Sequence, residues 1–514
     1  MNMKRSVVLW SLFLILALTL LAGCGSSGSS PNTNAPLSAD NITLIFVVSP
    51  DLANDPLGDI QPDTANLTNQ GLQRSLLMAP YLKQQVLGGK NVTGIYALAP
   101  MTHPQNANKY SYMPDMTAIG FIQQFALLNQ ITLTVTPSPP YTYTTYTGNS
   151  YPLFVAYGGL GGVPSGVVEP SPYIPDAQGL AFNDASGNNI VLVTRIINAN
   201  IPGFYVFSAP WETTSALLRR INALYGYNLN LPTTYMGPNY VYAISIPSSG
   251  SASLVTYNSN LTPPSTYPVL PSPVQRAACT HSLQPYFKAV RTGGVDGVIV
   301  PLNSNTNQRV YIVRHADAHP DPGFYFEDGN YVGAGQWRAL SLPNFLPNAL
   351  RGQASPTVVY SIDPAQSFPL AADFSVSYAR PSLTALPYAI ANNLPFYLAA
   401  SFEIGTNPIV VAVAQNTSNF FFTNTNVNLS NQTILLAWES GHIRPFLNAL
   451  LTSYGGNNPP QILPIPGSPL GSWPDADYDT IWTVTLDAQG NLTVDNDLCE
   501  GIDSASLPAT APQF

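Results

Sequence analysis

The sequence predicts an α/β protein made of two similar halves in tandem, each a mainly parallel sheet flanked by helices. Three observations lead there. Val310-Tyr311-Ile312-Val313 is a β-favouring apolar run, too short for a helix, that opens abruptly onto Arg314-His315-Ala316-Asp317. Such a run suits a strand buried on both faces of a parallel sheet. Ile42 to Val48 is a second run of the same kind, and short stretches of the first half recur in the second at a nearly constant offset. Gly71 to Gly335 and Tyr96 to Tyr360 are both 264 residues apart, and Thr117 to Thr384 is 267. A chain of 514 residues is long enough for two core-bearing domains.

Residues 1–23 are expected to lie outside the fold. Lys4 and Arg5 precede an apolar run from Val7 to Leu21 that ends in Leu21-Ala22-Gly23-Cys24. A basic start, a short apolar middle and small residues before a cut describe a secretory signal. The run is shorter than the roughly 20 apolar residues a spanning helix needs. The Leu-Ala-Gly-Cys ending resembles a bacterial lipoprotein signal. That resemblance implies a lipid on Cys24, attachment to a membrane through it, and a place in the cell envelope facing the periplasm or the exterior. Ser26 stands where an aspartate is associated with inner-membrane retention, which favours the outer membrane or cell surface. Residues 24–40, rich in Gly, Ser, Asn and Pro, read as a flexible tether.

Only 9% of residues are charged and the net charge is −9, so the chain lacks the basic footprint of a nucleic-acid binder. A hydrophobic content of 45% speaks for a globular protein despite 49 prolines. With Cys24 set aside, Cys279 and Cys499 remain, and in an oxidising compartment two remaining cysteines most simply form one disulfide. Two buried free thiols are the rival reading.

Residues 41–250 are expected to form a degenerate copy of the second half. Gly71-Leu72-Gln73-Arg74-Ser75 mirrors Gly335 to Ala339, Gly94-Ile95-Tyr96-Ala97 mirrors Val358 to Ser361, and Met116-Thr117-Ala118 mirrors Leu383-Thr384-Ala385. In that alignment Ser49-Pro50 stands where Arg314-His315 stands, and Met113 where Arg380 does. No histidine follows the late strand Gly203 to Phe207, and His103, in a proline-flanked loop, is expected at the surface. Residues 120–180 read as an insertion. Residues 251–306 read as a linker, Ser-, Pro- and Thr-rich at first, with a helix over Cys279 to Arg291. Residues 307–505 form the second domain.

The Arg314-His315-Ala316 turn resembles the hallmark of the histidine phosphatase superfamily, the phosphoglycerate mutase-like proteins. Four further stretches follow in that family's order. Gly335-Gln336-Trp337-Arg338-Ala339 is similar to its Gly-x-x-Arg/Gln-Ala helix, and Val358 to Asp363 to its second strand and turn. Arg380-Pro381-Ser382-Leu383-Thr384-Ala385 is similar to its Arg-x-x-x-Thr-Ala helix start, and Ile434 to His442 to the strand leading to its second histidine. The resemblance covers roughly residues 307–500 and implies two Rossmann-like domains of the phosphoglycerate-mutase type, with no cofactor. It assigns the nucleophile to His315 and phosphate binding to Arg314, Arg380 and His442. The chain departs from the pattern at Trp438-Glu439-Ser440-Gly441-His442, where the histidine falls two or three positions late.

The residue types fit that chemistry. A phosphomonoester carries close to two negative charges, which Arg314 and Arg380 can hold with bidentate contacts. His315 attacks phosphorus as the neutral imidazole, forming a phosphohistidine that water later cleaves. His442 adds a donor for the transition state. A carboxylic acid must protonate the leaving oxygen; Glu403, Asp317 and Glu439 compete for that role, with Glu403 first. The spacing His315-x-Asp317-x-His319 invites a metal reading, but a strand opening into a proline-rich loop does not put both histidines on one face. His319 is expected at a pocket rim, and Phe324, Tyr325, Phe326, Tyr331 and Trp337 either wall that pocket or pack beneath a loop, packing being the preferred reading. Two function classes follow: a lipid-anchored phosphatase acting on a phosphorylated small molecule or phosphoprotein, or a non-catalytic surface lipoprotein that uses the fold for binding.

Overall fold

The computed structural model describes residues 34–514 apart from 55–57, 107–111, 130, 135–144, 149–152, 158–187, 278, 280–286, 319–328, 366, 372–373, 400–410, 426, 459–473 and 475. The predicted signal, Cys24 and most of the tether lie outside the described residues, as do His319, Phe324, Tyr325, Phe326 and Glu403. Among the described residues no helix is long and apolar enough to cross a membrane.

The protein is α/β, with two large mixed sheets. The strands of the first half are β1 (Ile42–Val48), β2 (Gly94–Leu98), the hairpin β3 (Gln105–Asn106) and β4 (Tyr112–Met113), the hairpin β5 (Ile131–Thr134) and β6 (Thr145–Gly148), β7 (Leu153–Tyr157), β8 (Gly203–Ala209), β9 (Tyr240–Ile246) and β10 (Ser253–Asn258). Its helices are α1 (Asn69–Tyr81), α2 (Thr117–Leu127), α3 (Asn188–Ala199) and α4 (Trp211–Tyr225). The second half holds β11 (Lys288–Arg291), β12 (Gln308–Arg314), β13 (Val358–Ile362), the hairpin β14 (Ser367–Ala371) and β15 (Phe374–Ser377), β16 (Phe396–Ala399), β17 (Thr433–Trp438), β18 (Thr480–Leu486) and β19 (Leu492–Cys499). Its helices are α5 (Gly333–Ala349), α6 (Arg380–Asn392), α7 (Val411–Phe422) and α8 (Ser440–Ser453).

The first sheet runs β10-β9-β1-β8-β2-β7 and the second β11-β19-β18-β12-β17-β13-β16. Without β11 the two orders correspond strand for strand. Their directions correspond as well: β1 lies between parallel β8 and antiparallel β9, and β12 between parallel β17 and antiparallel β18. All seven residues of β1 are buried, as are six of seven in β12, which is why both read as continuous apolar runs rather than alternating ones.

Ala35–Phe514 forms one compact unit: each half keeps an apolar cluster of its own on one side of its sheet, and a third cluster joins the two halves. Leu67, Ile119 and Ile122 of the first half share a buried apolar cluster with Leu340, Leu383 and Leu386 of the second. Gly120 lets the helices approach, because a Cβ there would sit 3.1 Å from the Leu386 side chain. Gln123 Nε2 donates to Asn330 Oδ1 (2.8 Å) and Asn66 Nδ2 to the Leu394 carbonyl (3.0 Å), so the contact is also hydrogen-bonded.

Several expected boundaries move. Ser253–Asn258 is not linker but an edge strand of the first sheet, paired with β9, and its half-exposed pattern explains why it read as loop. Within the segment expected as a helix, Lys288–Arg291 is a strand on β19; residues 280–286 lie outside the described ones. Residues 117–127 are helix and Leu153–Tyr157 is the outer strand of the first sheet, so the expected insertion contributes to the framework. Cys279 and Cys499 are joined, with Cα atoms 5.7 Å apart, which fastens the segment before β11 to the end of β19.

Candidate active site

The site is built at the carboxyl end of β12, where open α/β sheets place ligands. Arg314 stands opposite Trp438 in the last register pair with β17, and the His315 amide continues the ladder one step further onto the Trp438 carbonyl (3.0 Å). The chain then leaves the sheet. Ala316 N donates to Thr384 Oγ1 (2.8 Å), whose hydroxyl donates to the Arg380 carbonyl (2.7 Å). The turn carrying His315 is thereby stapled to the first turn of α6, the helix that opens with Arg380. Arg314, His315 and Arg380 are each at most 4% exposed.

Two tyrosines gather these three side chains. The His315 ring lies 6.1 Å from Tyr378 and 6.0 Å from Tyr478, centre to centre. The Arg380 guanidinium sits 4.6 Å over Tyr378 and that of Arg314 4.0 Å over Tyr478, a cation–π arrangement that keeps each cation flat against an aromatic face. Arg314 Nη1 also donates to the carbonyls of Pro474 (3.0 Å) and Asp477 (3.1 Å), in the loop before β18. The imidazole is oriented by its own backbone: Nδ1 lies 2.9 Å from the Ala316 carbonyl, which can only accept, so Nδ1 carries a proton, and in the neutral ring the lone pair is then on Nε2.

Asp317 faces a different task. Its Oδ2 accepts from Arg338 Nε at 2.6 Å, and Arg338, wholly buried, also donates to Glu500 Oε2 (2.7 Å) and Ser504 Oγ (2.9 Å). Burial works against the charge on Arg338, but Asp317 and Glu500 outweigh it and hold the guanidinium protonated. The same burial pushes the Glu500 carboxyl up to about 8 in spite of Arg338. Asp317 is therefore a structural anchor for the turn, and a proton-donating role is poorly served by a carboxylate so engaged. Gly335 makes the approach feasible, since a Cβ there would lie 2.5 Å from the Asp317 carbonyl.

The other wall comes from the end of β17. Glu439 follows the strand directly, as the residue capping α8, and His442 lies one turn inside that helix. His442 Nδ1 meets Glu439 Oε2 at 2.6 Å, and its amide donates to the Glu439 carbonyl (3.1 Å). Burial raises the Glu439 carboxyl, but His442, the Gly441 amide and Arg314 overcome it and bring it down to about 2. His442 and Glu439 thus share one face of the first turn of α8. Glu439 follows Trp438, the register partner of Arg314, so this pair borders the arginine site.

Tyr378 and Tyr478 carried no sequence signal, because loops place them against residues up to 164 positions away. Arg338 did carry one, in Gly335-x-x-Arg338. Tyr331 and Trp337 are packing residues: Tyr331 donates to Gln336 Oε1 and Trp337 to the Thr510 carbonyl. Among the described residues no group of three His, Cys, Asp or Glu side chains is arranged to hold a metal ion.

The corresponding end of the first sheet has another composition. The Ser49 amide donates to the Ala209 carbonyl (3.0 Å) as His315 does to Trp438, so Val48-Ser49, not Ser49-Pro50, occupies the place of Arg314-His315. Met113 is a buried strand residue in β4 rather than a helix start. His103 is not a surface residue: its Nδ1 pairs with Asp115 Oδ2 at 2.7 Å and its side chain is 12% exposed. Burial opposes the charge on this imidazole, but Asp115, Asp51 and Glu212 together raise it above its ordinary value. Burial first, then Glu212, pushes the Asp51 carboxyl up to about 7.

No family description matches the chain, and no curated protein matches it. Among solved structures it is similar to two mycobacterial hydrolases. One is 13% identical over 34% of this chain and 91% of that one, with a TM-score of 0.21. The other is 12% identical over 40% and 91%, with a TM-score of 0.24. The native structure of a mycobacterial glucosyl-3-phosphoglycerate phosphatase matches at 12% identity over 37% and 97%, with a TM-score of 0.22. Overlaps this small carry no argument of their own, and the chemistry rests on the residues.

Proposed function

We propose that this chain is an exported, lipid-anchored phosphatase that hydrolyses a phosphomonoester through a phosphohistidine on His315. The observation that carries the reading is the tautomer and setting of His315. Its Nδ1–H is held by the Ala316 carbonyl, which leaves the lone pair on Nε2, and two arginines stack on the same two tyrosines that flank the ring. Nε2 attacks phosphorus, Arg314 and Arg380 hold the non-bridging oxygens, and water then cleaves the phosphoryl–nitrogen bond. The substrate is a phosphorylated small molecule or phosphoprotein outside the cytoplasm. The lipid on Cys24 would keep the enzyme at the outer membrane or cell surface.

The matching strand orders support a duplication in which only the second half keeps an arginine–histidine turn, and the first half serves as scaffold. One observation favours a second reading, a binding protein without turnover: an ionised carboxylate, Glu439, follows β17 beside Arg314 and opposes a phosphate dianion. Hydrolysis of an aryl phosphate by the chain and by His315→Ala decides between them. Turnover that His315→Ala abolishes, with an acid-labile phosphoryl adduct on His315 in quenched wild-type protein, supports the enzyme. No difference between the two proteins supports the binding class.

A further inference from the structure

An alkyl phosphate cannot leave His315 without a proton for its departing oxygen, and the arrangement at this edge narrows the source. Asp317 is tied to buried Arg338 at 2.6 Å. Glu439 is held ionised and has no proton to give near neutrality. Asp363 follows β13, which β17 separates from β12, and its Oδ1 accepts from the Ala365 amide (2.9 Å). Among the described residues, which do not include Glu403, His442 remains, and it is braced: Glu439 Oε2 accepts from Nδ1 at 2.6 Å, and Ser440 Oγ donates to Glu439 Oε1 at 3.2 Å. Gly441 keeps the space in which the carboxylate folds back, since a Cβ there would sit 3.1 Å from Oε2.

We propose that His442 is the catalytic proton donor to the leaving oxygen and that Glu439 is its positioning residue, holding Nδ1–H so that proton exchange runs through Nε2. The inference rests on the phosphatase reading above and adds the acid to it. In the first step His315 Nε2 forms a bond to phosphorus while the bond from phosphorus to the ester oxygen breaks. The electron pair stays on that oxygen, which takes the Nε2 proton of His442 and departs as an alcohol. In the second step His442 Nε2 accepts a proton from water as its oxygen bonds to phosphorus. The phosphorus–nitrogen bond breaks, its electron pair returns to His315, and inorganic phosphate leaves. A charge-assisted bond to a carboxylate orients an imidazole and stabilises its protonated form, which is what an acid that must be recharged each cycle requires.

The test compares two leaving groups on the full chain: 4-nitrophenyl phosphate, whose phenolate leaves without help, and glycerol phosphate, whose alkoxide does not. For His442→Asn the expected loss in kcat/KM on glycerol phosphate is about a hundredfold or more, with a much smaller loss on the aryl ester. Glu439→Gln follows the same selective pattern, and Glu439→Asp recovers part of it. A residue that only supports the fold would lower both substrates equally, and that result overturns the proposal. So does a selective loss in Glu403→Gln with an unselective one in His442→Asn. Should the variants fold poorly, a series of esters on the wild-type chain reads the same property: a shallow dependence of kcat/KM on leaving-group pKa is expected, and a steep one overturns the donor. A wild-type chain that hydrolyses neither ester overturns the phosphatase reading itself, and the proton donor with it.

Discussion

Arg314, like Arg380, is buried against a tyrosine. It ends the central strand, stacks on Tyr478 and donates to two carbonyls of the loop before β18. A lysine could make one of those contacts but not offer the same flat fork to a phosphate. Arg314→Lys is therefore expected to lower kcat/KM on an aryl phosphate by about 1.5–3 kcal/mol of transition-state binding, the worth of hydrogen bonds to charged groups, and to lower the melting temperature as well, because it gives up a buried contact to the loop before β18. Steady-state kinetics beside a thermal melt measure both, and an unchanged kcat/KM would contradict the placement of Arg314. Arg314 and His315 were legible because a buried strand ended on them without a polar transition. The aromatic faces were not, since Tyr378 and Tyr478 approach from loops whose positions depend on the whole fold. The tie between Asp317 and Arg338 was half legible: the Gly335-x-x-Arg338 spacing marked the arginine, and nothing local marked its acceptor.

Among the elements, α5 shows how one small residue sets a site. Gly335 sits in its first turn against the strand exit, and a Cβ there would lie 2.5 Å from the Asp317 carbonyl oxygen and 2.7 Å from the Tyr331 Cβ. Neither neighbour is the far end of a flexible chain, so Gly335→Ala must move backbone. It is expected to destabilise by roughly 1–3 kcal/mol, the usual cost of overpacking, and to lower activity further than stability because the moved segment carries His315. Denaturant unfolding checks the first part and assay at a temperature well below the transition checks the second; a variant as stable as wild type would show that α5 can shift freely. The elements missed in the sequence share a cause. β10 and β11 are edge strands with exposed positions, which gives them too few apolar residues to stand out from loop. The central strands, sealed on both faces, were the ones that could be read.

At the scale of the whole molecule, each sheet keeps a core of its own and shares a further cluster with the other sheet, and Ala511 and Phe514 pack into that shared cluster. The Cys279–Cys499 bond spans 220 residues, so reducing it should release the unfolded chain and lower stability by up to about 5 kcal/mol on the loop-entropy account. A fall in the denaturation midpoint on adding reductant, absent in Cys279→Ser, is the expected outcome. The residue next to that bond, Glu500, sets the pH response. Its carboxyl is raised to about 8 and that of Asp51 to about 7, both first by burial. Between the unfolded carboxylate range near 4 and these values the native state holds protons that the unfolded chain has released. Stability must then fall as pH rises through that interval. The raised His103 pulls the same way, since the stability of its pair with Asp115 is present at low pH and lost as the imidazole deprotonates. Glu439, depressed to about 2, contributes a constant amount above the ordinary carboxylate range and does not alter the slope. Calorimetry from pH 6 to pH 9 should therefore show a declining melting temperature, and Glu500→Gln, which cannot ionise, should flatten the upper part of that decline. A melting temperature that climbs over this interval would mean that Glu500 and Asp51 are ionised in the folded protein.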